Sequence, residues 1–145
     1  METPLIRRAM AQDAAPLARV MAAAYAPFAL TIPDLPDVTS GLDHDIADHL
    51  VWVAIAGQTL IGGLVAIRMS SGLHIANLAV HPRAGGQGIG LRFMQTAETF
   101  ARSENLIMLT LATHPKMPKN VQFYEKLGWA VTKTSPNKIV MAKRL

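Results

Sequence analysis

The chain has 145 residues, half of them hydrophobic, which suits one domain (residues 1–145) around one core. It contains no cysteine, so disulfides, thiolate metal sites and a cysteine nucleophile are excluded. No apolar run approaches the roughly 18 residues that cross a bilayer, and no basic stretch leads into an apolar signal core, so the expectation is a cytoplasmic protein without a membrane partner. The net charge of +4 is unevenly spread: between Arg19 and Arg68 there is no Lys or Arg, while Asp34, Asp37, Asp43, Asp45 and Asp48 give that stretch −5 and leave +9 elsewhere. Such an acid segment would attract a cation, and the basic remainder a polyanion, unless both are plain solvated faces.

In chain order, Leu5 to Ala9 reads as an edge strand. Asp13 is placed to cap a helix reaching about Tyr25, with Pro16 in its first turn and Leu17, Val20, Met21 and Ala24 as its apolar stripe. Pro27, Pro33 and Pro36 predict an irregular loop over Ala26 to Ser40, and Leu42 to Leu50 a short helix. Val51 to Ala56 and Leu60 to Met69 read as a hairpin across Gly57-Gln58, and Leu73 to Val80 as the next strand. A glycine-rich loop, His81 to Gly90, leads into a helix ending near Glu104, with Ile89, Phe93, Ala97, Phe100 and Ala101 on one face. The apolar run Leu106 to Ala112 predicts a strand covered on both sides. Asn120 to Leu127 reads as a helix stopped by Gly128, and Trp129 to Thr134 with Lys138 to Ala142 as a closing hairpin. The order has an α+β character with one strand–loop–helix–strand unit at its centre.

The loop Gly85-Gly86-Gln87-Gly88-Ile89-Gly90 carries the chemistry most openly. Glycine admits positive φ and close approach of a ligand, and the first turn of the following helix offers free N–H groups and a partial positive charge, a site suited to phosphate or pyrophosphate. Leu91 and Arg92 stand where a nucleotide P-loop needs Lys and Ser or Thr. Counting from Gly86 and Gly88, the third glycine of a dinucleotide fingerprint would fall on Leu91, and no ribose-binding acid sits at a suitable strand end.

The stretch Leu78 to Leu91 resembles instead the acyl-CoA loop of the GNAT acetyltransferase superfamily, whose pattern is Gln or Arg, two residues, Gly, one residue, then Gly or Ala. Gly88 and Gly90 match the last two positions. Gly85 departs from the usual Gln or Arg, with Arg83 a candidate for the lost contact. A second segment, Asn120-Val121-Gln122-Phe123-Tyr124-Glu125-Lys126-Leu127-Gly128-Trp129, resembles the family's other cofactor segment, and the two occur in the family's order.

The resemblance implies a mixed, mostly antiparallel twisted sheet flanked by helices and splayed at the acyl-CoA site. It implies acetyl-CoA as co-substrate and direct transfer of the acetyl group to an amine, either a small molecule or a peptide, by a monomer or homodimer. Cofactor contacts carry onto Leu78, Ala79, Val80, Gly85, Gly86, Gln87, Gly88, Ile89, Gly90, Leu91, Asn120 and Tyr124. Tyr124 matches the tyrosine that protonates the departing sulfur. Many relatives place a Glu on the central strand, where this chain has Ile75-Ala76-Asn77. Asn77 could orient a water that takes the proton, and His114 or His74 could take it directly. The resemblance makes Pro27 to Leu50 the acceptor wall. Asp45, Asp48 and His49 would share a helix face, but the expectation is no metal. The scattered lysines, with no nucleic-acid motif, argue against a nucleic-acid partner. An acyl-CoA-binding sensor without turnover is the alternative, suggested by the missing Glu and the Gly85 departure.

Overall fold

The computed structural model describes residues 3–35 and 37–145. Its elements are β1 (Leu5–Arg8), a short 3-10 turn (Ala11–Asp13), α1 (Ala14–Ala29), α2 (Leu42–Asp48), β2 (Leu50–Ala56), β3 (Thr59–Arg68), β4 (Gly72–Val80), a second 3-10 turn (Pro82–Ala84), α3 (Ile89–Ser103), β5 (Met108–Thr113), α4 (Pro118–Lys126), β6 (Ala130–Ser135) and β7 (Lys138–Arg144). The strands form one sheet in the order β1-β2-β3-β4-β5-β7-β6. Only β4 and β5 run parallel, as a strand–helix–strand crossover through α3 requires; the other neighbours are antiparallel. The expected α+β architecture is therefore the observed one.

Two apolar clusters sandwich the first four strands. On one face Leu17 and Met21 of α1 pack with Val51, Val53, Val65 and Ala79. On the other, Ile89, Phe93, Met94 and Ala97 of α3 pack with Trp52, Leu64, Leu73 and Leu111, joined by Tyr124 and Trp129. Gly62 and Gly63 of β3 permit both helices to come close. A Cβ at Gly62 would lie 3.1 Å from the Phe93 ring, and one at Gly63 would collide with Leu17.

Four local expectations are corrected. Asp13 does not cap α1: its backbone is helical, and its buried carboxylate accepts from Arg7 Nη1 (2.7 Å), Arg7 Nη2 (3.1 Å) and the Met10 N–H (2.7 Å). The helix runs past Tyr25 through Pro27 to Ala29, because a proline in the last turn removes one hydrogen bond yet already holds a helical φ. The helix begun at Leu42 ends at Asp48, and Leu50 starts β2 instead. Finally, β5 is covered on one face only. Leu109 and Leu111 are buried, whereas Met108 and Ala112 are exposed, since α1 and α2 lie over β2, β3 and β4.

Candidate functional site

The parallel pairing of β4 with β5 stops at Ile75 opposite Leu111, while β4 continues to Val80. At the same point β4 carries an extra residue, Ala76, so that Val65 faces Asn77 and Ala66 faces Ile75. Beyond it, the edge of β4 that faced β5 is unpaired, and the two strands bound an opening of about 540 Å³.

Asn77, Leu78 and Val80 line this cavity from β4, Gly90 from the start of α3, Thr113 and His114 from the end of β5, and Asn120 and Tyr124 from α4. Half of the residues singled out in the sequence, Asn77, Leu78, Val80, Gly90, His114, Asn120 and Tyr124, thus line one cavity. The rest of the glycine loop stands around it. Gly86 and Gly88 take left-handed φ of 77° and 73°, which a glycine adopts without strain. The first intrahelical bond of α3 is from Arg92 N–H to Gly88 O (3.1 Å), so the amides of Ile89, Gly90 and Leu91 lie outside the helical ladder. A Cβ at Gly88 would meet nothing within 4 Å. This open cradle of amides fits a pyrophosphate, and the unpaired β4 edge fits an amide-bearing arm.

Some expected residues point away from the cavity. The Ile89 side chain is core, as is that of Ala79. Gln87 lines a separate cavity with Arg83, His81, Leu60 and Ile61, so Arg83 and Gln87 flank the loop on another side. Leu91 borders a small recess with Met94 and Trp129. Gly85 is exposed, and its amide bonds back to Pro82 O (3.3 Å).

Tyr124 is 8 % exposed and packs edge-on against Phe123 and at a tilt against Trp129. Burial, with a smaller contribution from Tyr25, pushes its hydroxyl well above the ordinary tyrosine range. Tyr124 nonetheless lines the cavity. Asn120 Nδ2 donates to Thr113 Oγ1 (3.3 Å), tying α4 to β5.

Asn77 is buried and held on both ends of its amide. Its Oδ1 accepts from the Tyr25 hydroxyl (2.8 Å), and its Nδ2 contacts Met21 Sδ (3.3 Å). Its amide is thus a fixed dipole on the cavity wall. His114, 7 % exposed, has both ring nitrogens occupied: Nδ1 accepts from Lys116 N–H (3.1 Å) and Nε2 lies 3.0 Å from Asp34 Oδ1. With Nδ1 accepting, the neutral ring carries its proton on Nε2, which leaves no free lone pair. The expectation that His114 takes the acceptor's proton is corrected on that ground. His74 bonds Thr110 Oγ1 (2.9 Å) and is absent from the cavity wall; burial and then the Lys138 charge lower its pKa.

Sequence reading gave no cavity role to Tyr25, Met117, Phe123 or Lys138, which also line it, whereas Asp34, Leu35 and Val38 fall in the stretch Pro27 to Leu50 expected as the acceptor wall. Tyr25 had a signal: it stands four residues after Met21, on the same helix stripe. Of the five aspartates in the acid stretch, only Asp34 lines the cavity. The Asp37 carboxylate accepts from Thr39 and Ser40, and these bonds bring its pKa down to about 2. Asp43, Asp45 and Asp48 lie on α2. No group of three metal-ligating side chains is present among the described residues, nor is any helix there long and apolar enough to cross a membrane.

A cavity at a strand separation, beside a glycine-led helix start, agrees with the sequence profile of the acetyltransferase (GNAT) family, which matches residues 18–129. The chain belongs to that family. Its acyl-group donor is accordingly acetyl-CoA, and the residues above fit it. The fold is shared with the PaiA N-acetyltransferase of Thermoplasma acidophilum solved with coenzyme A, at 21 % identity, TM-score 0.86, and 99 % of this chain and 100 % of that one. It is shared also with Ard1 of Thermoplasma volcanium (20 %, TM-score 0.79, 99 % of each). A third match is the ribosomal-protein-S18-alanine N-acetyltransferase of Escherichia coli (14 %, TM-score 0.82, 98 % of this chain and 94 % of that one).

Proposed function

We propose that this acetyltransferase moves the acetyl group of acetyl-CoA to a primary amine, small-molecule or peptide, by direct attack in a ternary complex. The observation that carries the proposal is the cavity itself: one opening joins the unpaired edge of β4, the start of α3 and Tyr124. When bound, acetyl-CoA supplies a thioester whose C–S bond is broken as the amine nitrogen bonds the acetyl carbon.

The chain's residues then have separate tasks. The amides of Gly86 to Leu91 hold the pyrophosphate, favoured by the positive end of α3. The β4 backbone at Leu78, Ala79 and Val80 pairs with the pantetheine arm and fixes the depth of the reacting carbonyl, the placement on which rate depends. Tyr124 donates a proton to the leaving sulfur. With its pKa raised, it stays protonated at neutral pH, as a general acid must. Asn77, clamped by Tyr25 and Met21, presents a fixed dipole to the attacking nitrogen. With no carboxylate on β4 and both His114 ring nitrogens hydrogen-bonded, water is the proposed acceptor of the amine's proton.

A thiol-release assay with acetyl-CoA against a broad amine panel, run beside calorimetric binding of acetyl-CoA, tests this. Thiol release that depends on added amine supports transfer. Tight binding with no amine-dependent release would overturn it and leave a sensor.

A further inference from the structure

We propose that Asp34, held in place by His114, is a specificity residue that pairs with a second, non-reacting cationic group of the acceptor, so that the preferred acceptor is a short-chain diamine. The inference rests on the amine-transfer reading above.

Asp34 is the sole carboxylate on the cavity wall among the described residues. It sits in the segment between α1 and α2 with its side chain 45 % exposed, a setting in which a carboxylate usually samples many positions. Here one oxygen is pinned: Oδ1 accepts the Nε2–H of His114 at 3.0 Å, and that ring is buried and itself fixed by Lys116 N–H. Nδ1 accepts from Lys116 N–H, so it is Nε2 that faces the carboxylate. The bond therefore orients the carboxylate. Among the described residues no Lys or Arg lies within ion-pair distance of Asp34; His114 is its only such partner. Lys138 lines the same cavity but makes no ion pair with Asp34, so the carboxylate, fixed in direction and facing a space of about 540 Å³, is left as a receptor for a ligand cation.

That cation is not the nitrogen that attacks. Attack needs a free lone pair, and a nearby opposite charge favours the protonated form of an amine. A carboxylate holding the reacting nitrogen would oppose the reaction it serves. The same carboxylate is useful when it holds a different nitrogen and leaves the first neutral beside Asn77 and Tyr124. Leu35, Val38 and Met117 line the cavity as well, and apolar side chains of this kind suit the methylenes joining two amines.

The test compares α,ω-diamines of three to six carbons with the n-alkylamines of equal length, measured as kcat/KM in wild type, Asp34→Asn, His114→Gln and His114→Phe, with acetyl-CoA affinity measured alongside. Wild type is expected to prefer the diamine at the best length. Asp34→Asn should raise KM for that diamine about fivefold relative to the monoamine of equal length, the range for a half-exposed ion pair, with acetyl-CoA affinity unchanged. His114→Gln, which can still donate, should keep most of the preference, and His114→Phe should lose it. Salt should erode the wild-type preference and not that of Asp34→Asn. Equal effects of Asp34→Asn on both series, or no wild-type preference for diamines, would overturn the assignment while leaving amine transfer standing. A wild type that binds acetyl-CoA but acetylates no amine would overturn both.

Discussion

The two walls of the cavity are built in opposite ways. The wall made by β4, the start of α3 and α4 offers the unpaired strand edge and the Gly90 end of the helix, with the left-handed Gly86 and Gly88 beside it and Tyr124 among its side chains. The wall made by α1 and the segment after it presents the side chains of Tyr25, Asp34, Leu35 and Val38, two of which, Tyr25 and Asp34, are fixed by partners distant in sequence. Tyr25 reaches Asn77 across 52 residues and Asp34 reaches His114 across 80. Backbone recognition serves a ligand common to a whole family, whereas side-chain recognition can be rewritten one residue at a time. The first wall should therefore control donor binding and chemistry, and the second the choice of acceptor.

The largest effect expected from breaking this division is at Tyr124. Tyr124→Phe should lower kcat by about 10² to 10⁴, the usual worth of general acid catalysis, with acetyl-CoA affinity unchanged. Because burial raises this pKa, the wild-type rate should show no alkaline decline from Tyr124 below about pH 10, the ordinary tyrosine value. An unchanged kcat would reduce Tyr124 to packing.

Next is Gly88→Asp. An aspartate tolerates a left-handed φ better than most residues, at a folding cost of about 1–2 kcal/mol, and nothing within 4 Å obstructs its Cβ. The new carboxylate in the cradle should weaken coenzyme A binding about 10- to 100-fold, the equivalent of one or two charge-assisted hydrogen bonds. A folded variant that binds coenzyme A like wild type would remove the pyrophosphate from this loop.

Asp13→Asn bears on stability, and through it on α1, the helix that carries Tyr25. Its carboxylate is buried against Arg7, whose bonds hold the pKa below the usual value. A depressed carboxylate pKa contributes stability above the unfolded value of about 3.9 and loses it as pH falls through the lower folded value. Thermal unfolding should show the variant less stable by about 1–3 kcal/mol at pH 7, with the difference shrinking below about pH 4. A constant difference across that range would assign the loss to packing.

The smallest effect sharpens the comparison most. Tyr25→Phe removes one hydrogen bond to Asn77, worth about 0.5–1.5 kcal/mol. It should lower kcat/KM for the amine about two- to tenfold at that value, with acetyl-CoA affinity intact. A larger effect on acetyl-CoA than on amine would mean that the walls are not separate.

Sequence reading recovered the two walls unequally. Glycines announce left-handed backbone, and the run Asn120 to Trp129 announces a short helix closed by Gly128, because both depend on neighbours a few residues apart. Asp34 was legible only as one of five aspartates, with nothing to distinguish it from Asp37, whose carboxylate serves a local turn. Pro27 misled in the other direction: as a helix breaker it hid the last turn of α1, just beyond Tyr25.

What local geometry and periodicity in the sequence determined was therefore the order of elements, while the glycine loop and Tyr124 were singled out by their resemblance to a known family. Tertiary structure decided where β4 leaves β5, which of two histidines meets the cavity, and that His114 donates where it was expected to accept. Those outcomes depend on the register between strands and on contacts spanning half the chain. A histidine's free lone pair is fixed by the groups that fold against it, and no local pattern records them.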